Sequence, residues 1–434
     1  MKFSLNLKLQ TTFYFFFYPL LLLLFVKYVM LINIPKMVFL ALIFAIVCFG
    51  GKTEIITMCL LGIPLYSTIE IYFTILICMI VYAVKYHKSM KIGLEVLPIV
   101  GLFAWEIMHC LCNDYINNAS FVFIFPYLFC VLVMFNCAKE VNYTFVIRNY
   151  ALCTIWMCII VLGKLVKNTG LNIMNALAQT GRFGYSSIVE SEAYFNPNTL
   201  GFFCIIAMIG LLQLILAKKG KLTDGILVII LLFFGCLTMS ITYYVCLIFM
   251  IALFFIAVLK NKKESIKFII MGLVIIVVSI IALNKFSPTL MNNLMSRVLV
   301  DDISNGRVGL FMQYGKYIMS SLLTLFWGTG IAKNCNLVEE YFMTSNMQVP
   351  HNGVQEVLVI WGIPGLIIFV VFLGSLILNA KKQLNNPTLL NYIPLIMILF
   401  KVQAGQLATS YPTILMFSLA YLSLCNDLKK EVHR

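Results

Sequence analysis

The sequence predicts an all-α protein: a polytopic bundle of about 12–14 transmembrane helices with a long, partly helical loop outside the membrane. Three observations lead there. The residues AVILMFWYC make up 62% of the 434 residues and the charged residues only 11%, against about 45–50% and about 25% in an average soluble domain. Apolar runs recur along the whole chain, and Lys and Arg collect in alternate connections between them. Only lipid accepts so much apolar surface, so a secreted soluble enzyme, a disordered chain and a collagen-like repeat are excluded. The net charge of +14 then reads as a cytoplasmic excess of Lys and Arg, not as a nucleic-acid surface.

The first apolar run, from about Tyr14 to Met30, follows Lys2 and Lys8 and precedes no small-residue cleavage site. It reads as a retained span. Fourteen runs approach the roughly 20 residues that a span needs: 11–31, 37–50, 54–66, 69–84, 92–111, 120–138, 145–163, 198–217, 222–239, 241–259, 266–284, 353–379, 389–404 and 409–425. The second to fourth are short. With fourteen spans, the groups Lys85/Lys88/Lys91, Lys139/Arg148, Lys218/Lys219/Lys221, Lys260 to Lys267, Lys381/Lys382 and Lys429/Lys430/Arg434 all face the cytoplasm. Both termini join them. The chain divides into N-terminal transmembrane helices (1–163), an outer loop (164–197), central transmembrane helices (198–284), a large outer loop with an interfacial helix (285–352) and C-terminal transmembrane helices (353–434). Most of the 14 cysteines, such as Cys48, Cys59, Cys78, Cys153 and Cys158, sit in apolar runs as small hydrophobes. The spacing gives no metal-type CxxC pair, and Asp301-Asp302 has no convergent partners, so no metal is expected.

The two outer loops are too long for plain connectors. The second carries Phe311, Tyr314, Tyr317, Ile318, Leu322, Leu325 and Phe326 at helical spacing. Two readings fit: an ordinary packing helix, or one that lies in the membrane interface or caps a cavity.

Three polar clusters border these loops. In Pro350-His351-Asn352-Gly353-Val354-Gln355-Glu356, Asn352 reads as an N-cap with Gln355 as its capping partner. His351 then lies just outside a positive helix end, which favours the neutral imidazole and attracts phosphate oxygens. Gly181-Arg182-Phe183-Gly184 leads through Glu190 and Glu192 to Asn196-Pro197-Asn198, an N-cap and first-turn proline that open another span. Arg182 either gives phosphate a bidentate contact or pairs with Glu190 or Glu192. Ser304-Asn305-Gly306-Arg307 opens the amphipathic segment, which ends in Phe326-Trp327-Gly328-Thr329-Gly330. Arg307 is either functional or a snorkelling interfacial arginine. Within the spans, Glu106, Lys401 and Lys27 each carry a charge that costs about 2.5–3.5 kcal/mol at mid-membrane. Such groups normally face a polar cavity. Lys401, near Gln403 and Gln406, is expected to line the same cavity, and Glu106 to pair with a cation.

These clusters, in this order, resemble the O-antigen ligase and Wzy-type polysaccharide polymerase superfamily over roughly residues 180–370. The matching pieces are Arg182 with Asn196-Pro197-Asn198, the arginine-bearing helix from Ser304 to the Gly328-Thr329-Gly330 turn, and His351-Asn352 through Gly362 and Gly365. One departure is Met239-Ser240-Ile241-Thr242, where the family often has a Ser-Arg pair. The resemblance implies a metal-independent glycosyltransferase in the bacterial cytoplasmic membrane, with no cofactor. Its donor is an undecaprenyl-pyrophosphate-linked glycan. The implied roles are His351 as catalytic base, Arg182 and Arg307 as pyrophosphate ligands, and Asn352, Asn198 and Lys401 in support. Polymerisation of lipid-linked repeat units is the expected reaction, with a flippase and a chain-length regulator as implied partners. The alternatives are a ligase that transfers the glycan to another acceptor and, from a different class, a lipid-linked oligosaccharide flippase.

Overall fold

The computed structural model describes residues 2–91, 93–94, 96–112, 118–136, 140–170, 173, 175–176, 183, 196–258, 292, 306–384 and 387–426. All regular structure among them is helical. In chain order the helices are α1 (Lys2–Tyr28), α2 (Lys36–Phe49), α3 (Lys52–Leu65), α4 (Ile71–Tyr86), α5 (Val96–Cys112), α6 (Ala119–Val122), α7 (Ile124–Asn136), α8 (Tyr143–Thr169), α9 (Pro197–Leu216), α10 (Leu222–Leu237) and α11 (Ile241–Val258). The segment that follows adds α12 (Arg307–Ile318), α13 (Leu322–Trp327) and α14 (Asn334–Phe342), and after it come α15 (Gly353–Gln383), α16 (Leu389–Val402) and α17 (Tyr411–Cys425). Helix coincides with every expected span except 266–284, which lies outside the described residues. Among the described residues, 7 helices are long and apolar enough to cross a membrane.

Burial sorts the helices into layers. α3, α9 and α17 are buried on all sides, as an interior helix must be. α4, α7, α8, α10, α11 and α16 pack around these three. Outer helices turn large apolar side chains outward, among them Phe15, Leu22, Phe44, Ile80, Phe233, Ile248 and Ile367. That is the inverse of a soluble surface and suits contact with lipid.

α2 and α3 have 14 residues each, about 21 Å of helix, short of the ~30 Å hydrocarbon layer. Their shared turn is stabilised by charge. Lys85 Nζ donates to the carbonyls of Cys48 (2.8 Å) and Gly50 (2.5 Å) at the end of α2. Gly51 N donates to Glu54 Oε2 at the start of α3. The basic group near residue 85 thus closes a helix end that would otherwise leave carbonyls bare. Nearby, Arg148 makes a two-point contact with the buried carboxylate of Asp224, Nε to Oδ1 at 2.9 Å and Nη2 to Oδ2 at 2.8 Å.

α15 is two helices meeting at Gly362, which has φ +64° and ψ −161°. The break frees two carbonyls. Pro364 has no N–H to offer Ile360 O, and the turn at Gly362 takes Ile363 N away from Val359 O. The Gly328-Thr329-Gly330 segment fills both places. Thr329 N and Oγ1 donate to Val359 O at 2.8 and 3.0 Å, and Gly330 N donates to Ile360 O at 2.7 Å. A Cβ on Gly362 would lie 2.3 Å from Phe326 O, and one on Gly328 would lie 2.5 Å from Ile360 O. Both positions also have positive φ, so glycine is required twice over. These are the glycines of two of the sequence clusters, and they exist to fit one another.

Candidate functional site

The site is assembled where α15 and α9 begin, α16 ends and α12 starts. Asn352 caps α15: its Oδ1 accepts from Val354 N and Gln355 N, both at 3.1 Å. Its Nδ2 donates to Gln403 O (3.2 Å) and Gln403 Oε1 (3.3 Å), which ties the cap to the end of α16. The capping residue expected from the sequence is therefore correct, but its expected partner is not. Gln355 does not reach back to the cap; its Nε2 crosses to Phe311 O in α12 at 2.8 Å.

That bond, with Tyr314 OH to Gln348 O at 2.7 Å, docks α12 on both sides of His351. Arg307 occupies the first turn of this helix. No hydrogen bond or ion pair engages its guanidinium among the described residues, although it is half-buried. Of the seven residues of the predicted apolar stripe, Tyr314, Tyr317 and Ile318 are buried, Leu325 is half-buried, and Phe311, Leu322 and Phe326 are exposed together with Val308, Met312, Met319 and Leu323.

His351 is half-buried, with Nε2 3.4 Å from Gln348 Oε1. Burial pushes its pKa below the usual imidazole value, and the positive charges of Arg307 and Lys401 push it further down. The imidazole is therefore held neutral. If Nε2 donates to Gln348, Nδ1 carries a free lone pair.

Lys401 lies in the last turn of α16 with only 9% of its surface exposed. Its Nζ is 5.7 Å from the centre of the Phe202 ring, a cation–π distance. Phe202 is one turn into α9, so Lys401 stands beside the second helix N-terminus. There Asn196 caps the helix, accepting from Asn198 N at 2.9 Å, with Pro197 in the first turn. Asn198 Oδ1 accepts from Ser240 Oγ at 2.6 Å. Ser240, from the position where the resemblance leads one to expect a Ser-Arg pair, thus spends its hydroxyl on positioning Asn198. Phe183 N donates to Leu237 O at 3.1 Å, close to Ser240 in the chain. Arg182 itself lies outside the described residues, as do Glu190, Glu192, Ser304 and Asp301-Asp302.

Two buried carboxylates fix the first half of α15, one at the site and one at the interlock. Glu356, 0% exposed, accepts from the backbone of Leu407, from Ala408 N (2.9 Å), from Thr409 N (3.3 Å) and from the Thr409 hydroxyl. It clamps the connection between α16 and α17 to the first turn of α15, and it lies close enough to Lys401 to interact with its charge. Its position on the α15 motif is plain in the sequence, but its partners lie about fifty residues downstream. Glu106, expected to meet a cation, is satisfied by neutral donors: Ile331 N at 3.0 Å and Trp361 Nε1 at 2.8 Å. It anchors the chain just after the 328–330 segment, beside Trp105, whose Nε1 donates to Trp327 O at 3.3 Å.

The assembled groups are a neutral imidazole, a guanidinium, an ammonium and two helix N-termini. Such a set binds an anion and accepts a proton beside it. No curated protein matches the chain. The segment from the second turn of α10 to beyond the break in α15 contains Ser240, Arg307, the 328–330 interlock, His351 and Asn352, and it does have a match: residues 226–370 match the family model described as O-antigen ligase.

Proposed function

We propose that the protein is a membrane-embedded glycosyltransferase that uses a glycan linked through pyrophosphate to undecaprenol, and that it joins lipid-linked repeat units into a surface polysaccharide at the outer face of the cytoplasmic membrane. The observation that carries this reading is the neutral imidazole of His351 flanked by Arg307 and Lys401, on a segment that matches the O-antigen ligase family. In this reaction an acceptor hydroxyl oxygen attacks the anomeric carbon of the donor, opposite the diphosphate. The bond from that carbon to the diphosphate oxygen breaks, and its electron pair leaves with the diphosphate. The hydroxyl proton passes to His351. The new linkage is inverted at the anomeric carbon.

Charge grows on the diphosphate as the sugar departs, so cations fixed there lower the barrier more than they stabilise the bound donor. Arg307 is the bidentate ligand in this assignment and Lys401 a point charge. Arg182 takes a second guanidinium role on the resemblance. Asn352 and Asn198 orient the two helix ends.

The test is reconstitution of the purified chain in liposomes with an undecaprenyl-pyrophosphate-linked repeat unit. Elongated lipid-linked product is expected, and His351→Ala is expected to reduce its rate at least ~100-fold, the low end for lost acid–base help. Intact donor moved across the bilayer without elongation would identify a flippase. Transfer only to a second, unlike acceptor would identify a ligase.

A further inference from the structure

A cavity of about 550 Å³ opens between the end of α1, the start of α2 and the corner that joins α3 to α4. Its wall is almost entirely apolar, formed by side chains such as Phe39, Leu40, Ile69 and Phe73. Its lining includes Met37 and Phe73, which are 71% and 47% exposed, and a charged pair, with Lys36 Nζ 3.3 Å from Glu70 Oε1. Ser67 also lines the cavity, and its buried hydroxyl has no hydrogen-bond partner among the described residues.

We propose that this cavity is a lipid site, separate from the His351 site and independent of its assignment. It takes one acyl chain of a zwitterionic phospholipid, whose phosphate meets Lys36 and whose ammonium meets Glu70. Three features select this occupant. The lining is amphipathic, mostly apolar but with Lys36 and Glu70 among its residues, so it suits a chain with a headgroup and not a sugar. Those two residues carry one charge of each sign, which complements a zwitterion and offers no net attraction to a diphosphate. At about 550 Å³ the cavity has room for one acyl chain. The Ser67 hydroxyl supplies the donor that an ester carbonyl at the head of the chain would accept.

The experiment is native mass spectrometry of the full chain in detergent, titrated with palmitoyl-oleoyl phosphatidylethanolamine and with its phosphatidylglycerol counterpart. One phosphatidylethanolamine per chain is expected, retained about 10-fold more tightly than phosphatidylglycerol, the equivalent of ~1.4 kcal/mol. Leu40→Trp fills the cavity and is expected to reduce that occupancy by a similar factor. Glu70→Gln, a change at an exposed side chain, removes the negative charge beside Lys36 and is expected to reverse the preference toward phosphatidylglycerol. Equal binding of both lipids to the unmodified chain, an unchanged preference in Glu70→Gln, or a polyprenyl phosphate held in place of the phospholipid overturns the proposal. If Leu40→Trp does not fold, Glu70→Gln alone decides.

Discussion

His351 shows how a local charge pattern sets the working form of a side chain. Burial, Arg307 and Lys401 all oppose the imidazolium. Removing one cation relieves part of that opposition, so Arg307→Gln raises the His351 pKa. The acid limb of kcat/KM against pH is expected to move to higher pH in that variant, measured as glycan elongation in proteoliposomes. The same substitution removes a charge-assisted contact of about 1.5–3 kcal/mol to the donor. Arg307→Lys is expected to restore the pH limb but little of the affinity, because an ammonium cannot grip two oxygens at once. An unmoved limb in Arg307→Gln would separate the two residues. The polar residues legible in the sequence were those announced by local rules. Asn352 and Asn196 are caps, Pro197 is a first-turn proline, and Lys401 is a charge in an apolar run. Glu356 had no such announcement, because every group it binds belongs to residues 407–409.

At the scale of elements, the broken helix is the feature that sequence periodicity does not reach. The apolar run from Gly353 to Leu378 passes through Gly362 and Pro364 without interruption, so it reads as one span. The partner that makes the break tolerable comes from a distant segment, at Gly328-Thr329-Gly330. Gly328→Ala is expected to destabilise the protein by about 3 kcal/mol or more, since it combines a left-handed backbone with a blocked contact and lost hydrogen bonds. Gly225→Ala, in α10 with open space around it, is the matched control. It is expected to be neutral or stabilising by up to ~1 kcal/mol. Thermal unfolding in detergent compares the two. On the same assay Glu356→Ala strands three backbone donors at 407–409, at about 1–3 kcal/mol for each one left unsatisfied. Equal melting temperatures for Gly328→Ala and Gly225→Ala would show that the interlock carries no stability.

For the whole molecule, composition alone was enough to identify a helical membrane bundle, and hydropathy located most of its described apolar helices, although α1 begins nine residues earlier and α8 ends six residues later than their apolar runs. Which face each loop occupies is a separate question that composition addresses only through its Lys and Arg. Met343, 95% exposed after α14, provides the test. In intact cells Met343→Cys is expected to react with a membrane-impermeant maleimide, whereas Lys219→Cys, between α9 and α10, is expected to react only after permeabilisation. Both variants are made in a chain carrying Cys112→Ser, because Cys112 is the exposed one among the described cysteines, and that parent chain is the blank. Labelling in the opposite order would place His351 on the wrong side for a lipid-linked glycan donor.

The gap at Gly362 also bears on how the chain matures. A span with two bare carbonyls is unfinished until the Gly328-Thr329-Gly330 segment reaches it. Synthesis delivers Gly328 to Gly330 before Val359 and Ile360, so the plug is already waiting when the socket arrives. Excising the loop would leave a hole in the membrane layer as well as shortening an appendage, and quality control would meet that chain as a membrane-insertion defect.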